Sequence, residues 1–284
     1  MTISEKEVKN DDKQTKNENR ESVTKVKLRL DVKDVVRKPK PDENIDGGIT
    51  VLYEDNHLLV ALKPQNVPTQ EDSSGDPDML SMLKDYLVKK YNKPGAAYLG
   101  LVHRLDRPTG GVMVFAKTSK AAARLCEQIK DPDSEFEKVY LAVVSGRPSR
   151  TGKVEHYLLK DDKTNTVSLA PSTLEGVKKA ESIVKIEDER NGLSLVSVTL
   201  LTGRSHQARV QLKALGSPIV GDVRYAGDKL VKSRHLALWA YKLVFTHPVS
   251  GEKLKFLALP PDEFPWNVFD TEAFIDTVRP TGAR

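Results

Sequence analysis

The sequence predicts an α+β fold in which a few helices flank a mixed, mostly antiparallel sheet. Stretches with the alternating apolar pattern of strands outnumber stretches with helical spacing. Two pairs of strand-like stretches are joined by turn residues, as in β-hairpins. The 284 residues, 38% of them hydrophobic, suffice for one large domain or two small ones with a real core.

The N-terminal region, residues 1–47, is predicted to be a charged, disordered tail. It is rich in Lys, Asp, Glu and Asn and has almost no aromatic residues. The valines and leucines over 26–36 allow one short strand or edge segment within it. Residues 1–40 carry four of the five net positive charges. We expect a single folded domain over 48–284, on which a basic groove must come from local clustering.

Turn residues and apolar spacing predict the elements of this domain. Glu54-Asp55-Asn56 marks a turn between two strands. Ser119 is the predicted N-cap of one helical stretch, and Gly216 ends another. In chain order, the predicted elements are strands over 49–64, a loop over 65–78, a helix over 79–91, a strand over 112–116, a helix over 120–130, a strand over 136–146, strands within 153–170 and 180–200, a helix over 204–216 and strands over 235–260.

Composition and missing motifs narrow the function classes. The sequence has no run of 18 apolar residues and no apolar signal-peptide core, so we expect no membrane span. The single cysteine, Cys126, excludes an intramolecular disulfide and a cysteine zinc cluster. No P-loop, dinucleotide-binding glycine motif or metal-binding histidine spacing is present. We therefore expect a cytoplasmic monomer without cofactor, metal or obligate protein partner.

The segment HRLDR at 103–107 has two interpretations, one structural and one catalytic. It places Asp106 between Arg104 and Arg107, just before a Pro-Thr-Gly-Gly turn. One interpretation is a surface salt bridge at a hairpin. The other is a catalytic carboxylate that is held ionised in a basic site.

Two further segments concentrate unusual polar residues. KVY at 138–140 opens a predicted strand, and LTGRSHQAR at 201–209 lies at a strand-to-helix junction. Basic side chains at the start of a helix favour phosphate. Taken alone, however, Arg204 and Arg209 are better interpreted as ordinary cations on a helix surface.

Together these segments resemble the motifs of one enzyme family. HRLDRPTGGVMVFAK resembles the aspartate motif of pseudouridine synthases of the RluA family, and KVYLAVVSG resembles their tyrosine motif. TGRSHQARVQLKALGSPIVGDVRYAG is similar to their arginine motif. The order and approximate spacing also match, and the resemblance covers roughly residues 49–261. It implies a pseudouridine synthase fold with an active-site cleft at mid-sheet.

The resemblance implies an enzyme that isomerises uridine to pseudouridine in RNA, with ribosomal RNA as first choice and transfer RNA as second. Asp106 matches the catalytic aspartate, which either attacks the nucleoside or assists a glycal route. Arg209 matches its basic partner, because a cation within about 4–6 Å keeps a carboxylate ionised. Tyr140 matches the tyrosine that stacks on the flipped base or helps to remove its C5 proton.

The resemblance also implies residues that bind RNA. Arg104 resembles a wedge that fills the space left by the flipped nucleotide. Leu212 or Leu215 would pack beneath the base. His103 is either a wall of the site or a packed, hydrogen-bonded side chain. Phosphate contacts are expected for Arg204 and Lys138. Arg107 either contacts phosphate or is a solvated surface charge.

The sequence departs from the family pattern in places, and two other functions stay open. The family's Thr-Ser-Gly after the aspartate is Thr109-Gly110-Gly111 here, which we expect to loosen the loop. Where the family has glycine after Lys63-Pro64, Asn66 can supply the left-handed backbone. The alternatives are a non-catalytic RNA-binding protein of the same fold and an unrelated hydrolase with Asp106 as nucleophile.

Overall fold

The computed structural model describes residues 33–37, 44–45 and 48–271, and within them a mixed sheet of 13 strands carries three α-helices. The predicted α+β fold class is confirmed. The strands are β1 (Lys33–Arg37), β2 (Asn44–Ile45), β3 (Ile49–Glu54), β4 (Leu58–Lys63), β5 (Gly100–Leu101), β6 (Gly110–Ala116), β7 (Glu137–Ser145), β8 (Gly152–Asp161), β9 (Thr166–Leu169), β10 (Lys178–Arg190), β11 (Leu193–Leu200), β12 (Leu238–Thr246) and β13 (Lys253–Ala258), and the helices are α1 (Met79–Lys90), α2 (Ser119–Lys130) and α3 (Gln207–Ala214).

The strand order is β2-β3-β4-β6-β12-β7-β11-β10-β8-β9, with β5 beside β6 and β13 between β12 and β1. Most neighbours pair antiparallel, while β1 with β13 and β12 with β6 pair parallel. Strands β1 and β2 lie within residues 1–47, so the sheet includes part of the region that we predicted to be disordered. The rest of that predicted tail lies outside the described residues.

The predicted hairpin over 49–64 is present as β3 and β4. The Asp55 carboxylate holds its turn, because Oδ1 accepts hydrogen bonds of 2.7 Å from the backbone N–H groups of His57 and Leu58. After β4, Asn66 has a φ of 65°, the left-handed conformation that we expected it to supply. The chain can therefore turn into the long loop before α1.

Side chains and backbone conformation set where the helices begin. Asp78 caps α1 by accepting a bond of 3.0 Å from Ser81 N. The N-cap of α2 is Thr118, whose Oγ1 accepts from Ala121 N at 3.2 Å, so the prediction of Ser119 was one residue late. Helix α3 begins at Gln207 rather than near 204, because His206 has a φ of 52° and breaks the helical path.

Two adjacent glycines join the two halves of the sheet. Gly110 and Gly111 of β6 pair with Trp239 and Ala240 of β12. A Cβ at Gly110 would lie 2.3 Å from Trp239 Cζ3, and a Cβ at Gly111 would lie 2.3 Å from Ala240 O. Hydrogen bonding of Trp239 Nε1 to Ala258 O at 2.9 Å fixes the indole. A side chain at 110 therefore has no room, and glycine closes this contact instead of loosening the loop.

Strands β4 and β6 are buried on both faces and carry the core. Met113 and Phe115 share one apolar cluster with the buried leucines of α1. Val112 and Val114 point the other way, into the cluster that contains Leu125 of α2. The alternation places one helix on each face of the sheet. In the part of the chain that the structure describes, no helix is long and apolar enough to cross a membrane.

Candidate active site

A cavity of about 520 Å³ opens at mid-sheet, where three segments meet. They are the loop before β6, strand β7 and the start of α3. Each contributes polar side chains although the segments are far apart in sequence. The predicted site residues that line the cavity are His103, Arg104, Asp106, Lys138, Tyr140, Arg204 and Arg209.

The two leucines that were expected under the base do not line this cavity. Leu212 and Leu215 are buried in the core, with exposures of 0% and 4%. Apolar cavity wall comes instead from Leu200 at the end of β11, Ala208 of α3 and Leu238 at the start of β12. We missed these residues because neither strand-like nor helical spacing marks which apolar side chain faces a cavity.

Asp106 lies at the rim with a partly exposed carboxylate. Its carbonyl accepts a hydrogen bond of 2.9 Å from Thr109 N, which closes the turn before β6. Its Oδ2 lies 3.7 Å from Arg209 Nη1 and 3.9 Å from His206 Nε2. The cation that faces Asp106 is thus the distant Arg209.

The neighbouring Arg107 points away from Asp106. Its guanidinium donates to Asn66 O at 3.1 Å and to Ser74 Oγ at 3.0 Å, and it forms an ion pair with Asp76. Arg107 therefore ties the loop before β6 to the loop before α1. The local salt bridge between Asp106 and an adjacent arginine is absent from the described contacts.

Arg209 is buried and held by a second carboxylate, that of Asp222. Its Nε and Nη2 donate to the two oxygens of Asp222 at 2.9 and 2.7 Å. Its guanidinium carbon lies 4.8 Å from the ring centroid of Tyr225. Burial opposes the charge of Arg209, but the bonds to Asp222 and the charge of Asp106 outweigh it and raise the pKa. The cation is permanent.

Helix α3 presents Arg209 because two glutamines anchor it to β10. Gln207 Nε2 donates to Glu181 O at 2.9 Å, and Gln211 Nε2 donates to Ala180 O at 3.2 Å. Gln207 Oε1 also accepts from Arg204 N at 3.0 Å, which braces the loop before the helix. Gln207 thus braces the loop as well as the helix, and Arg209 lies between the two anchors.

His206 and Tyr225 form a second contact to Asp106. Tyr225 Oη accepts from Val167 N at 3.0 Å and lies 2.6 Å from His206 Nδ1. The other ring nitrogen, Nε2, faces Asp106 Oδ2 at 3.9 Å. Burial lowers the pKa of His206 more than Asp106 raises it. At neutral pH His206 is thus a neutral imidazole beside Asp106.

Tyr140 lies on β7 between β11 and β12, opposite Val198 and Ala240. The side chain is 8% exposed and contributes to the cavity wall. Burial, and secondarily the negative charge of Asp106, raise the pKa of its phenol. Tyr140 is therefore protonated at neutral pH, which favours a stacking role over that of a base for the C5 proton.

His103 and Lys138 form the inner wall beside Phe136. His103 Nε2 accepts a hydrogen bond of 3.0 Å from Val114 N, so His103 is a packed residue that also lines the cavity. Burial, aided by the charge of Lys138, lowers the pKa of His103 to about 3. Lys138 Nζ lies 5.9 Å from the centre of the Phe136 ring, and burial lowers its pKa.

The two other predicted RNA-binding arginines are exposed at the rim. Arg204 Nε donates to Lys179 O at 2.9 Å, which fixes its stem while the rest of the guanidinium faces solvent. Arg104 has no ion pair among the described residues. A rim position with a free guanidinium is what a wedge or phosphate contact requires.

Lys63 is a buried cation beneath the Asp106 loop that the sequence did not identify. It is fully buried, and its Nζ donates to the carbonyls of Pro64, Val67 and Arg107 at 2.9, 2.6 and 2.9 Å. Burial lowers its pKa to about 7, against the attraction of Asp106. A lysine at the end of a strand usually reaches solvent, so only the fold reveals this role.

Within the described ranges, no three His, Cys, Asp or Glu side chains lie close enough together to hold a metal ion. The polar groups of the cavity are instead arranged about one carboxylate. Asp106 faces a permanent cation and a neutral imidazole, beside a protonated phenol. This arrangement can stabilise negative charge at Asp106 and hold a planar ring against Tyr140.

Comparisons with known proteins agree with this site. A family profile described as RNA pseudouridylate synthase matches residues 57–214. Ribosomal large subunit pseudouridine synthase C of Buchnera aphidicola is 34% identical over 229 residues, which are 78% of this chain and 70% of that protein. Ribosomal large subunit pseudouridine synthase D of Zymomonas mobilis is 31% identical over 238 residues, 80% of this chain and 74% of that protein.

The fold has a solved counterpart in human RNA pseudouridylate synthase domain containing 4. The TM-score is 0.62 at 23% identity, over 74% of this chain and 88% of that chain. This likeness confirms the fold that the motifs implied. With the family match covering more than half of its residues, the chain belongs to the RNA pseudouridylate synthases, isomerases that convert uridine in RNA to pseudouridine.

Proposed function

We propose that this chain isomerises specific uridines of ribosomal RNA, with large-subunit RNA as the first candidate and transfer RNA as the second. The relatives named above are large-subunit enzymes, which supports the first candidate. The observation that carries the catalytic assignment is the Asp106–Arg209 contact of 3.7 Å at the mouth of a cavity walled by Tyr140. We further propose that residues 48–284 act as a cytoplasmic monomer.

The reaction breaks the bond between ribose C1′ and uracil N1, turns the base and joins C1′ to C5, while C5 loses its proton and N1 gains one. Asp106 acts either by adding to the nucleoside or by assisting loss of the C2′ proton in a glycal route. In both routes the carboxylate must be ionised and close to the nucleoside. Arg209 provides the positive charge that faces this carboxylate, and neutral His206 lies beside it.

Tyr140 and the rim residues would keep the uridine out of its RNA helix. The phenol offers a flat, protonated surface on which the detached uracil can turn without leaving. Arg104 at the rim has a planar guanidinium that can stack where the nucleotide was. Lys138 and Arg204 both line the cavity, which supports a role for them in contacts to the phosphates beside the flipped nucleotide.

Replacing Asp106 tests this proposal. Asp106→Asn keeps the shape but removes the charge, so pseudouridine formation on an unmodified large-subunit rRNA transcript should fall by roughly 10³-fold or more. RNA affinity should stay within a few-fold. Asp85→Asn, at an exposed position of α1, is the matched control and should act as wild type. Appreciable turnover by Asp106→Asn would refute the assignment.

The same assay separates the other functions. Pseudouridine mapping of rRNA and tRNA treated with the wild-type protein identifies the target class, and a product on tRNA alone would overturn the first candidate. Isomerisation leaves the mass of the RNA unchanged, whereas a hydrolase using Asp106 would release a base or another fragment. Binding without any product would favour the non-catalytic protein, which the family match does not support.

A further inference from the structure

The Asp106 cavity continues into a second cavity of about 480 Å³. The two share the wall formed by Arg104, Asp106, Ser205, His206 and Arg209. An RNA strand whose target nucleotide lies against Asp106 must also extend out of the first cavity. The second cavity opens directly beside Asp106, so the residues that line it are candidates to contact the neighbouring nucleotides.

The far wall of the second cavity carries exposed cations on the β8–β9 hairpin and the loop after α3. Lys160 is the penultimate residue of β8, and Arg224 donates from Nη1 to Asn165 O at 2.5 Å across the two segments. Lys160 Nζ also contacts Asp162 Oδ1 at 2.6 Å. Because both heads remain open to solvent, each keeps N–H groups for another acceptor.

The opposite wall cancels only part of this charge. It carries the carboxylates of Glu71 and Asp72, and Arg107 Nη1, 3.8 Å from the Asp72 carboxylate, partly neutralises the latter. Arg104 stands between the two cavities and has no ion pair among the described residues. The second cavity thus has cations along the wall formed by Lys160 and Arg224, and another at its junction with the Asp106 cavity.

Val223, next to Arg224, places an apolar side chain in the lining of the second cavity. It is 83% exposed, whereas its neighbour Asp222 is 1% exposed. The backbone N–H groups of Arg224 and Tyr225 both donate to Asp222 Oδ1 at 3.2 Å, which fixes the turn. Val223 is therefore held outward on a rigid turn, where it offers apolar contact to the face of a sugar or base.

We infer that Lys160, Val223 and Arg224 form a subsite for the nucleotides that flank the target uridine in the same RNA strand. Lys160 and Arg224 contact consecutive phosphates, and Val223 packs against the intervening nucleoside. Phosphate contacts carry no sequence information, so the subsite contributes affinity and register. The inference rests on the proposed function, because the strand path starts from a uridine at Asp106.

Salt dependence of RNA binding tests the phosphate contacts. The probe is a fluorescein-labelled oligouridylate of 12 nucleotides, titrated by anisotropy at several KCl concentrations. For single strands each phosphate contact contributes about 0.7 to the slope of log K against log salt. The double variant Lys160→Gln/Arg224→Gln should therefore bind more weakly and with a slope smaller by about 1.4.

A matched pair of cations provides the control. Lys185 contacts Glu187 at 2.7 Å and Arg190 contacts Asp188 at 2.8 Å, so each is an exposed cation paired with a carboxylate two residues away, like Lys160 with Asp162. Neither lines a described cavity. Lys185→Gln/Arg190→Gln should keep the wild-type slope. Overlaid thermal unfolding curves confirm that both double variants are folded.

Val223→Ser tests the apolar contact separately. Affinity for the oligouridylate should fall about three- to tenfold while the salt slope stays unchanged, because no charge is lost. Val249 is also exposed, at 52%, but lies in the turn between β12 and β13. Val249→Ser should therefore bind as wild type.

These outcomes distinguish the subsite from the proposed function. If the wild type modifies the rRNA transcript but Lys160→Gln/Arg224→Gln retains its slope and kcat/KM, the subsite is refuted and the function stands. If the wild type modifies no rRNA but the oligouridylate slope depends on Lys160 and Arg224, the rRNA assignment is refuted and the subsite stands. If the control variant loses as much slope as the double variant, binding is diffuse and no subsite exists.

Discussion

The single guanidinium of Arg209 contacts two carboxylates, and it uses different nitrogens for each. Asp222 takes Nε and Nη2, which leaves Nη1 directed at Asp106. A bidentate pair fixes the plane of a guanidinium as well as its position. Asp222 is therefore the residue that sets the geometry of the Asp106–Arg209 contact.

Replacing Asp222 should reduce turnover through Arg209. Asp222→Asn cannot hold both nitrogens, so Arg209 shifts and kcat on the rRNA transcript falls about 10²-fold, the cost of a misplacement near 1 Å. The buried pair is broken, so urea unfolding should also show a loss of about 3 kcal/mol.

The double variant Asp222→Asn/Arg209→Met separates catalysis from stability. If Asp222 acts through Arg209, the double variant should be no slower than Arg209→Met alone. Both single variants then lower kcat by removing the same contact between Arg209 and Asp106. Multiplicative losses in kcat would show that Asp222 supports activity by another route.

Sequence motifs predicted the principal residues of the site but not those that hold them. Asp106, Tyr140 and Arg209 were identified by resemblance, and the structure brings all three to one cavity. Asp222 and Tyr225 stand in the same GDVRYAG stretch, yet nothing local distinguishes a buried carboxylate from a surface one. Their roles depend on Arg209 arriving from another element, which only the fold specifies.

The loop that presents Asp106 is held from below by the end of β4. Lys63 donates to one carbonyl in that loop, that of Arg107, and to two carbonyls of the segment after β4. Gln65 Nε2 adds bonds of 3.2 and 2.7 Å to Pro108 O and Leu236 O. Strand β4, the Asp106 loop and the start of β12 are thus joined by side-chain to backbone bonds.

Removing the Lys63 ammonium should destabilise this element. Lys63→Met keeps the aliphatic stem and leaves three part-buried carbonyls without their donor, at about 1–3 kcal/mol each when no water replaces it. We expect the free energy of unfolding in urea to fall by about 3 kcal/mol or more. Lys93→Met, at an exposed position after α1, should change it by less than about 0.5 kcal/mol.

Strands and helices follow their predicted order. The differences lie at element boundaries and glycines whose conformation is set by tertiary contacts. Helix α3 begins late because His206 adopts a left-handed conformation while bonding Tyr225. Apolar spacing could not indicate that break. The replacement of serine by Gly110 has its explanation in Trp239, which belongs to a strand near the other end of the domain.

The site as a whole is assembled across the junction of two half-sheets. Asp106 precedes β6 in one half, whereas Tyr140 and Arg209 belong to β7 and to α3 beside the other half. Within the described strands, β6 and β12 pair directly at only two positions. The Asp106–Arg209 distance therefore depends on the packing of Gly110 and Gly111 against Trp239 and Ala240.

Stability of the whole domain should fall on mild acidification because the fold buries neutral histidine. The pKa of His103 is about 3 when folded and near 6.5 when unfolded. The unfolded chain thus binds the proton first as pH falls. The stabilisation by His103 is complete above pH 6.5 and is lost progressively from there toward pH 3.

Comparing unfolding at two pH values tests this. Between pH 7 and 5, His103 alone should reduce the free energy of unfolding by about 2 kcal/mol. His103→Gln should show a drop smaller by that amount, whatever its stability at pH 7. His235→Gln, which alters a partly exposed histidine outside the cavity, should keep the wild-type drop. Equal drops for wild type and His103→Gln would contradict the assignment.

The contact between Gly110 and Trp239 also orders events during synthesis. A nascent chain that has released its first two hundred residues already contains Asp106 and Tyr140, but lacks Arg209 and the strand that joins the half-sheets. Until β12 is synthesised, nothing fixes the distance from the aspartate to Arg209 or to the tyrosine. The complete site therefore forms only after its last strand has been made.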